Sequence, residues 1–373
     1  MKIRLHGEPK VIISNYDSKH NYFAWPTATR LQNGKIAVVA SGFRLSHVCP
    51  FGKTVISYSE DEGETYSLPA PVMDTPLDDR DGGILAYGDK QVIVTSFNNS
   101  RDFQKKRVYS DQDNITYRSA YLDLVSDEDE QKYLGSLFRI SNDCGVSFGE
   151  IHKCPVSSPH GPIALRDGTV LWVGKVFDPN ESKTPIKGKA CVEVHKINLD
   201  GTTQYVGEIE NASDDEGELL SCEPYAIELD DGTIICHIRA QRTKEVENFN
   251  FLVTDFTIYQ SESTDGGKTW SKPHRILSKM GGAPSHLMKH SSGVLIASYG
   301  YREKPYGIKA MFSYDNGKTW DIDNVLYEND ISSDLGYPTT VELKDGSMVT
   351  VFYAREKEDG PCVIMQQKWS FEK

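Results

Sequence analysis

Long apolar runs are missing from this 373-residue chain. None approaches the ~20 residues that cross a bilayer, so no membrane span is expected. The opening residues, Met-Lys-Ile-Arg-Leu-His-Gly, hold no apolar stretch of the kind that makes a secretory leader. Cysteine is scarce, with seven residues, an odd number, and no close-spaced pair. That excludes a disulfide framework and leaves reduced thiols in the core or on the surface. Neither Cys-x-x-Cys nor His-Glu-x-x-His occurs, so no metal site and no cofactor are expected. Basic residues are outnumbered, 41 Lys and Arg against 54 Asp and Glu, for a net charge of −13. Such a surface repels polyanions, which argues against nucleic acid and against anionic membranes as partners. Helical periodicity is also lacking, and no long helix is expected. Together these features point to a soluble cytoplasmic protein, although a secreted chain without its leader would look the same. With 38% hydrophobic and 25% charged residues, a packed core is within reach.

What the chain has is repetition. Ser313-Tyr-Asp-Asn-Gly-Lys-Thr-Trp320 and Ser263-Thr-Asp-Gly-Gly-Lys-Thr-Trp270 share the form Ser-x-Asp-x-Gly-x-Thr-aromatic. Ser59-Glu-Asp-Glu-Gly-Glu-Thr-Tyr66 and Ser141-Asn-Asp-Cys-Gly-Val-Ser-Phe148 are two further copies. The pattern is that of a hairpin turn. Asp accepts from the turn's own N–H groups, Gly supplies a positive φ, and the aromatic ring anchors the turn by burial. A second repeat runs between these turns. Ala24 to Gly34, Cys222 to Gly232 and Gly336 to Gly346 register residue for residue, each leading into a β-rich run. Pro159 to Gly168 fits one residue shorter, and Asp78 to Asp89 and Pro284 to Gly293 are looser copies. Each reads as strand, Asp-Gly turn, strand.

The turn glycines recur about every 60 residues, enough for four strands and their loops. Six units of this kind predict an all-β chain, residues 1–373, folded as one six-bladed β-propeller with four-stranded antiparallel blades. The third blade has only a degenerate turn at Asn198-Leu-Asp-Gly201, and the sixth has none. There the ring is expected to close by pairing Lys10–Ser14 with Val363–Lys368, leaving few free sheet edges. The polar segments Asn98–Asn114 and Asp178–Lys189 read as insertions between strands.

Innermost strands of a propeller converge on the axis, so the residue opening each hairpin faces a central pocket. Those positions hold Trp25, Asp81, His160, Glu223, Ser285 or His286, and Tyr337. Just after the second strand come Arg44, Arg239, Arg302 and Arg355. An acidic chain that places arginine in register in four of six repeats gathers positive charge at one point.

The octapeptides follow the Asp-box pattern, and on them the chain resembles the sialidase superfamily, which implies that the boxes are structural. Along the rest of the chain the resemblance implies that Glu223 and Arg239 are the base and a carboxylate-binding arginine. It likewise implies Arg302 as a second such arginine and Tyr337 as the nucleophile. The chemistry is coherent, because an anomeric carbon carrying a carboxylate repels an anionic nucleophile, whereas a phenol arrives neutral. With a reference pKa near 10, that phenol needs a neighbouring base. Two departures mark a remodelled pocket. The family's first arginine sits in an Arg-Ile-Pro where this chain has Ala24-Trp25-Pro26, and the Glu that would orient it is replaced by Ala354. The acid/base Asp expected some six residues after Arg44 is absent, leaving His47, Asp79 and Asp81 as candidates.

The expected activity is exo-acting removal of a terminal anionic sugar, with Tyr337, Glu223, and His47 or Asp81 doing chemistry. Arg44, Arg239, Arg302, Trp25, His160, Asp79, Arg355 and His286 are expected to surround the carbohydrate, with Trp25 stacking on it. A lyase acting on a uronate by β-elimination and a binding propeller without turnover are the alternatives, since propellers host all three. No motif identifies the sugar or the oligomeric state.

Overall fold

In the computed structural model, described for residues 2–108, 115–181, 185, 188–246 and 250–372, the strands form six blades around a common axis. Blade 1 comprises Tyr22–Arg30, Ile36–Arg44, Lys53–Ser59 and Ala70–Met73, and blade 2 comprises Arg80–Tyr87, Gln91–Phe97, Ser136–Ser141 and His152–Cys154. In blade 3 the inner strand is split into Val156–Ser157 and Ile163–Ala164, both pairing with Val170–Val176, followed by Val192–Ile197 and Thr203–Ile209. Blade 4 is Leu220–Glu228, Ile234–Val246, Asn250–Ser263 and His274–Arg275; blade 5 is Ser285–Lys289, Leu295–Tyr301, Tyr306–Ser313 and Asp321–Asn329. Blade 6 combines Gly336–Glu342, Met348–Arg355 and Cys362–Glu372 with the N-terminal strand Lys2–Ile13. Lys10 pairs with Gln366 and Val11 with Met365, so the ring closes where the sequence places the closure.

Each blade buries both faces, which is why strands such as Ile36–Ala40 are apolar without alternation. Among the described residues the core falls into seven clusters, six of them one between each pair of neighbouring blades and a small seventh of Ala212, Leu219, Ala240 and Tyr259 at blade 4. Val39, Ile56, Ile84 and Val94 lie between blades 1 and 2, for example, and Val38, Val55, Val351 and Ile364 between blades 6 and 1.

The four octapeptide turns join the third and fourth strands of blades 1, 2, 4 and 5 and share one bonding pattern. At Asp61, one carboxylate oxygen accepts from the Ser59 hydroxyl and the Thr65 N–H, both at 2.8 Å, while the other accepts from the Thr65 hydroxyl. Asp143, Asp265 and Asp315 repeat this, and the donated bonds hold these carboxyls below the usual carboxylate range. The aromatic residue then reaches back to the preceding blade. Tyr66 donates to Gln366 Oε1 at 2.8 Å, Trp320 Nε1 donates to Gln260 Oε1 at 2.8 Å, and Phe148 and Trp270 pack into the clusters behind them. The turns therefore latch one blade to the next at the rim.

The expected insertion after blade 2's second strand carries three short helices and runs on beyond Asn114: α1 (Arg101–Val108), α2 (Ile115–Leu124) and α3 (Asp127–Tyr133). The signal for α3 was present in the sequence. Ser126 caps it by accepting from the Asp129 N–H, and four acidic residues occupy its first turn, where the helix dipole favours them. Arg101 binds Glu130, and Tyr117 and Tyr121 stack near Phe51, docking the helices on blade 1. The second expected insertion, Asp178–Lys189, lies partly outside the described residues. Among the described residues no helix is long and apolar enough to cross a membrane.

Candidate active site

The same backbone irregularity recurs where four inner strands begin. Trp25, Asp81, Glu223 and Tyr337 all have positive φ, at 54°, 46°, 48° and 51°. At each of them the pairing with the second strand slips, between Ala24 and Thr27, Arg80 and Gly83, Cys222 and Tyr225, and Gly336 and Thr339. A bulge of this kind re-aims side chains that strand alternation would send elsewhere. Non-glycine residues in this region are strained, and such strain concentrates at functional sites. All four side chains line one cavity of about 200 Å³.

Inside it, the Tyr337 hydroxyl donates to Glu223 Oε1 at 2.5 Å. Arg239 Nη1 donates to Glu223 Oε2 at 2.7 Å and, more weakly, to the Tyr337 oxygen at 3.4 Å, while its Nη2 donates to Gln241 at 2.6 Å. Burial first, then the Glu223 charge, raises the Tyr337 pKa well above that of a free phenol. The phenol is thus neutral at ordinary pH and bonded to its nearest base. Arg302 stands over the Tyr337 ring, 5.8 Å from its centre, held by bonds to the Leu335 carbonyl and the Tyr353 hydroxyl. Asp81 is buried, and that burial pushes its carboxyl up to about 7 against the opposing pull of Arg80. His47 lies at the mouth, half exposed and edge-on to Trp25 at 4.9 Å, with Nδ1 near the Tyr22 hydroxyl and Asp334. Desolvation there lowers its pKa below the ordinary value, with Asp334 opposing.

No protein-family model matches this chain, and no curated protein does. Solved structures do. A protein of unknown function from Dyadobacter fermentans superposes with a TM-score of 0.72 at 19% identity, over 99% of both chains. A leech intramolecular trans-sialidase, complexed with 2,7-anhydro-Neu5Ac, gives 0.65 at 14% identity, covering 98% of this chain and 70% of that one. A Penicillium chrysogenum α-L-arabinanase gives 0.61 at 12% identity over 98% of each. The chain has a sialidase-like fold.

Within this sialidase-like propeller, several residues expected at the pocket lie elsewhere. Arg44 is fully buried beneath it and spent on Asp78, with bonds to Ser41 and the carbonyls of Ser46, His47 and Asp79. It does not line the cavity. Asp79 is likewise buried and binds the Thr75 N–H and hydroxyl, which makes it a loop clamp. Arg355 sits outside the cavity, 3.9 Å from Asp334. His160 and His286 lie behind the floor on the axis, near Thr27 and stacked on Tyr225 respectively. Burial lowers both pKa values, His160 to about 3, so neither offers a cation to a sugar. Trp25 reaches the cavity but is only 2% exposed, with the Arg44 and Arg80 guanidiniums 5.0 and 4.7 Å from its ring centre. Its ring is covered by cations and is not open to stack on a sugar.

Other groups were not foreseen. Arg80 and Lys175 line the cavity, and Asp334, Tyr22 and Tyr353 form a bonded chain behind it that links His47 to Arg302. Arg80 could have been read from its place beside Asp81 only by knowing of the bulge there. The Asp334 group carries no sequence pattern at all.

Proposed function

We propose that the protein is an exo-acting glycoside hydrolase that removes a terminal anionic sugar, of sialic-acid or uronic type, with retention of configuration. The observation that carries this reading is the 2.5 Å bond from Tyr337 to Glu223 inside a pocket lined by arginines. Tyr337 attacks the anomeric carbon as its proton passes to Glu223 Oε1, giving a tyrosyl–glycoside and releasing the aglycone. Arg239, which donates to Glu223 Oε2 and to the Tyr337 oxygen, stabilises the negative charge that passes from the carboxylate to the phenol oxygen as the proton moves the other way. Asp81 protonates the leaving oxygen. A carboxyl near 7 in the cavity wall holds a proton at neutral pH, whereas His47 stands half exposed at the mouth. Water then opens the intermediate, Asp81 takes its proton, and Glu223 returns one to Tyr337.

The cavity volume of about 200 Å³, below the ~300–1,000 Å³ of typical drug-sized ligand sites, suits one terminal unit rather than an internal stretch of chain. The named activities of the leech and Penicillium proteins support glycosidic bonds as the target class. The test is a panel of aryl glycosides and uronate polymers. Turnover of any member that disappears in Tyr337→Phe supports the reading. Products absorbing as unsaturated uronates would show β-elimination instead.

A further inference from the structure

A second cavity, of about 570 Å³, adjoins the first over blade 3. The two share Lys175, Val176, Phe177, Asp178 and Leu220 in their linings, so they meet along one short segment and one side chain. That segment is anchored. The Val176 N–H donates to the Cys191 carbonyl and the Phe177 N–H to the Pro155 carbonyl, each at 2.8 Å. The volume falls within the ~300–1,000 Å³ of ordinary ligand sites, and no step of the chemistry above uses it. Its place around the ring is informative. Tyr337 opens the inner strand of blade 6, and in a ring of six blades the third is opposite. Displacement at an anomeric carbon runs in line, so the leaving oxygen departs on the side away from the attacking phenol. Asp81 opens the inner strand of blade 2, beside blade 3, where a donor to that oxygen belongs.

The lining suits one kind of ligand. Phe177, Pro179 and Leu220 give apolar surface for the C–H face of a sugar ring. Lys175 offers a donor and Glu193 and Glu208 offer acceptors, matching hydroxyls that both accept and donate. Glu193 and Glu208 stand directly opposite each other in paired strands. Like charges so placed weaken a sheet, and here they also repel a further carboxylate. With Asp178 they outnumber Lys175 and Lys189 in the lining. We infer that this cavity is the subsite for the leaving part of the substrate, and that this part is a neutral saccharide, not another acid unit of a polyuronate. The inference rests on the glycosidase reading for which part of the substrate lies here, but its test begins with binding.

Nuclear magnetic resonance titration of the Tyr337→Phe protein with lactose, cellobiose, xylobiose and digalacturonic acid would decide it, free of turnover. At least one neutral disaccharide should bind. Glu208→Trp, which fills the cavity from an exposed position, should weaken that binding at least ten-fold, and Phe177→Ala should weaken it too. The first variant keeps the test sound if the second melts early. Any binding of digalacturonic acid should be indifferent to Glu208→Trp. The inference is overturned if no neutral disaccharide binds, if Glu208→Trp leaves that binding intact, or if digalacturonic acid loses as much as the neutral sugars do. Its failure is separable from that of the hydrolase. Disaccharide binding that Glu208→Trp abolishes, with no glycoside ever cleaved, would keep the cavity and end the hydrolase. Equal kcat/KM on the methyl and lactosyl glycosides of one acid, unmoved by Glu208→Trp, would do the reverse.

Discussion

Removing a single oxygen separates catalysis from packing at the centre of this site. Tyr337→Phe keeps the ring that contacts Tyr353 and lies under Arg302, and deletes only the donor to Glu223. A hydrogen bond to a charged acceptor is worth about 1.5–3 kcal/mol net. Here Arg239 still holds the other Glu223 oxygen, and that carboxylate is partly open to water. The stability loss should therefore fall near the lower end, about 1–2 kcal/mol. With an unfolding entropy of about 2.1 cal/mol/K per residue over 373 residues, that is a melting shift of only about 1–3 °C. Activity should respond on another scale. If the phenol oxygen is the attacking atom, turnover falls by at least about 1,000-fold, equivalent to about 4 kcal/mol of barrier. Glu223→Gln should be nearly as damaging and the double variant little worse than either, because groups that share one proton act as a unit. The assay is steady-state hydrolysis of the best aryl glycoside, with melting followed in parallel. A Tyr337→Phe protein that retains full turnover refutes the mechanism, and the bond to Glu223 would then be only a satisfied core contact.

If Asp81 is the proton donor, kcat should fall as pH rises through about 7, and Asp81→Asn should abolish that limb along with most of the rate. The same carboxyl makes stability depend on pH. Its folded pKa lies above the unfolded value near 3.9, so its stabilising contribution is present below about pH 4 and lost by about pH 7. Denaturant titrations should show Asp81→Asn gaining on wild type across that window. Arg44→Met strands the Asp78 charge in the core and should cost about 3–5 kcal/mol, as loss of fold rather than a raised KM. Asp315→Ala removes the acceptor that organises the blade 5 turn and should lower the melting temperature by a few degrees while leaving KM unchanged.

Blade count, ring closure and the residues at the inner strand starts were legible because a repeat exposes its own register. Tyr337, Glu223, Asp81 and Trp25 stand at one position of one template, and the structure gives all four the same backbone. The arginines at the end of the second strands were a less sure guide. The same position leads Arg239 and Arg302 into the cavity, but it leads Arg44 to Asp78 and Arg355 to Asp334. Which way an arginine turns depends on acids supplied by other blades, and no local pattern encodes that. His160 failed for a related reason. Its strand is split, the positive φ passes to Gly161, and the imidazole drops behind the floor.

The four strained residues and the four rim turns bear on one another. A non-glycine residue held at positive φ costs on the order of 1–3 kcal/mol, and four of them at one pocket would relax if the inner strands could slide. Sliding is opposed from outside. The clusters between blades fix each sheet against its neighbours, and Tyr66 on Gln366 and Trp320 on Gln260 tie the rim across blade boundaries. A blade so held at its outer edge cannot shift its inner strand without breaking its neighbour's packing. The turns far from the chemistry therefore help to keep Trp25, Asp81, Glu223 and Tyr337 in conformations that none would adopt alone. Loosening one should lower stability first, and disturb the 2.5 Å bond between Tyr337 and Glu223 only when a blade begins to move.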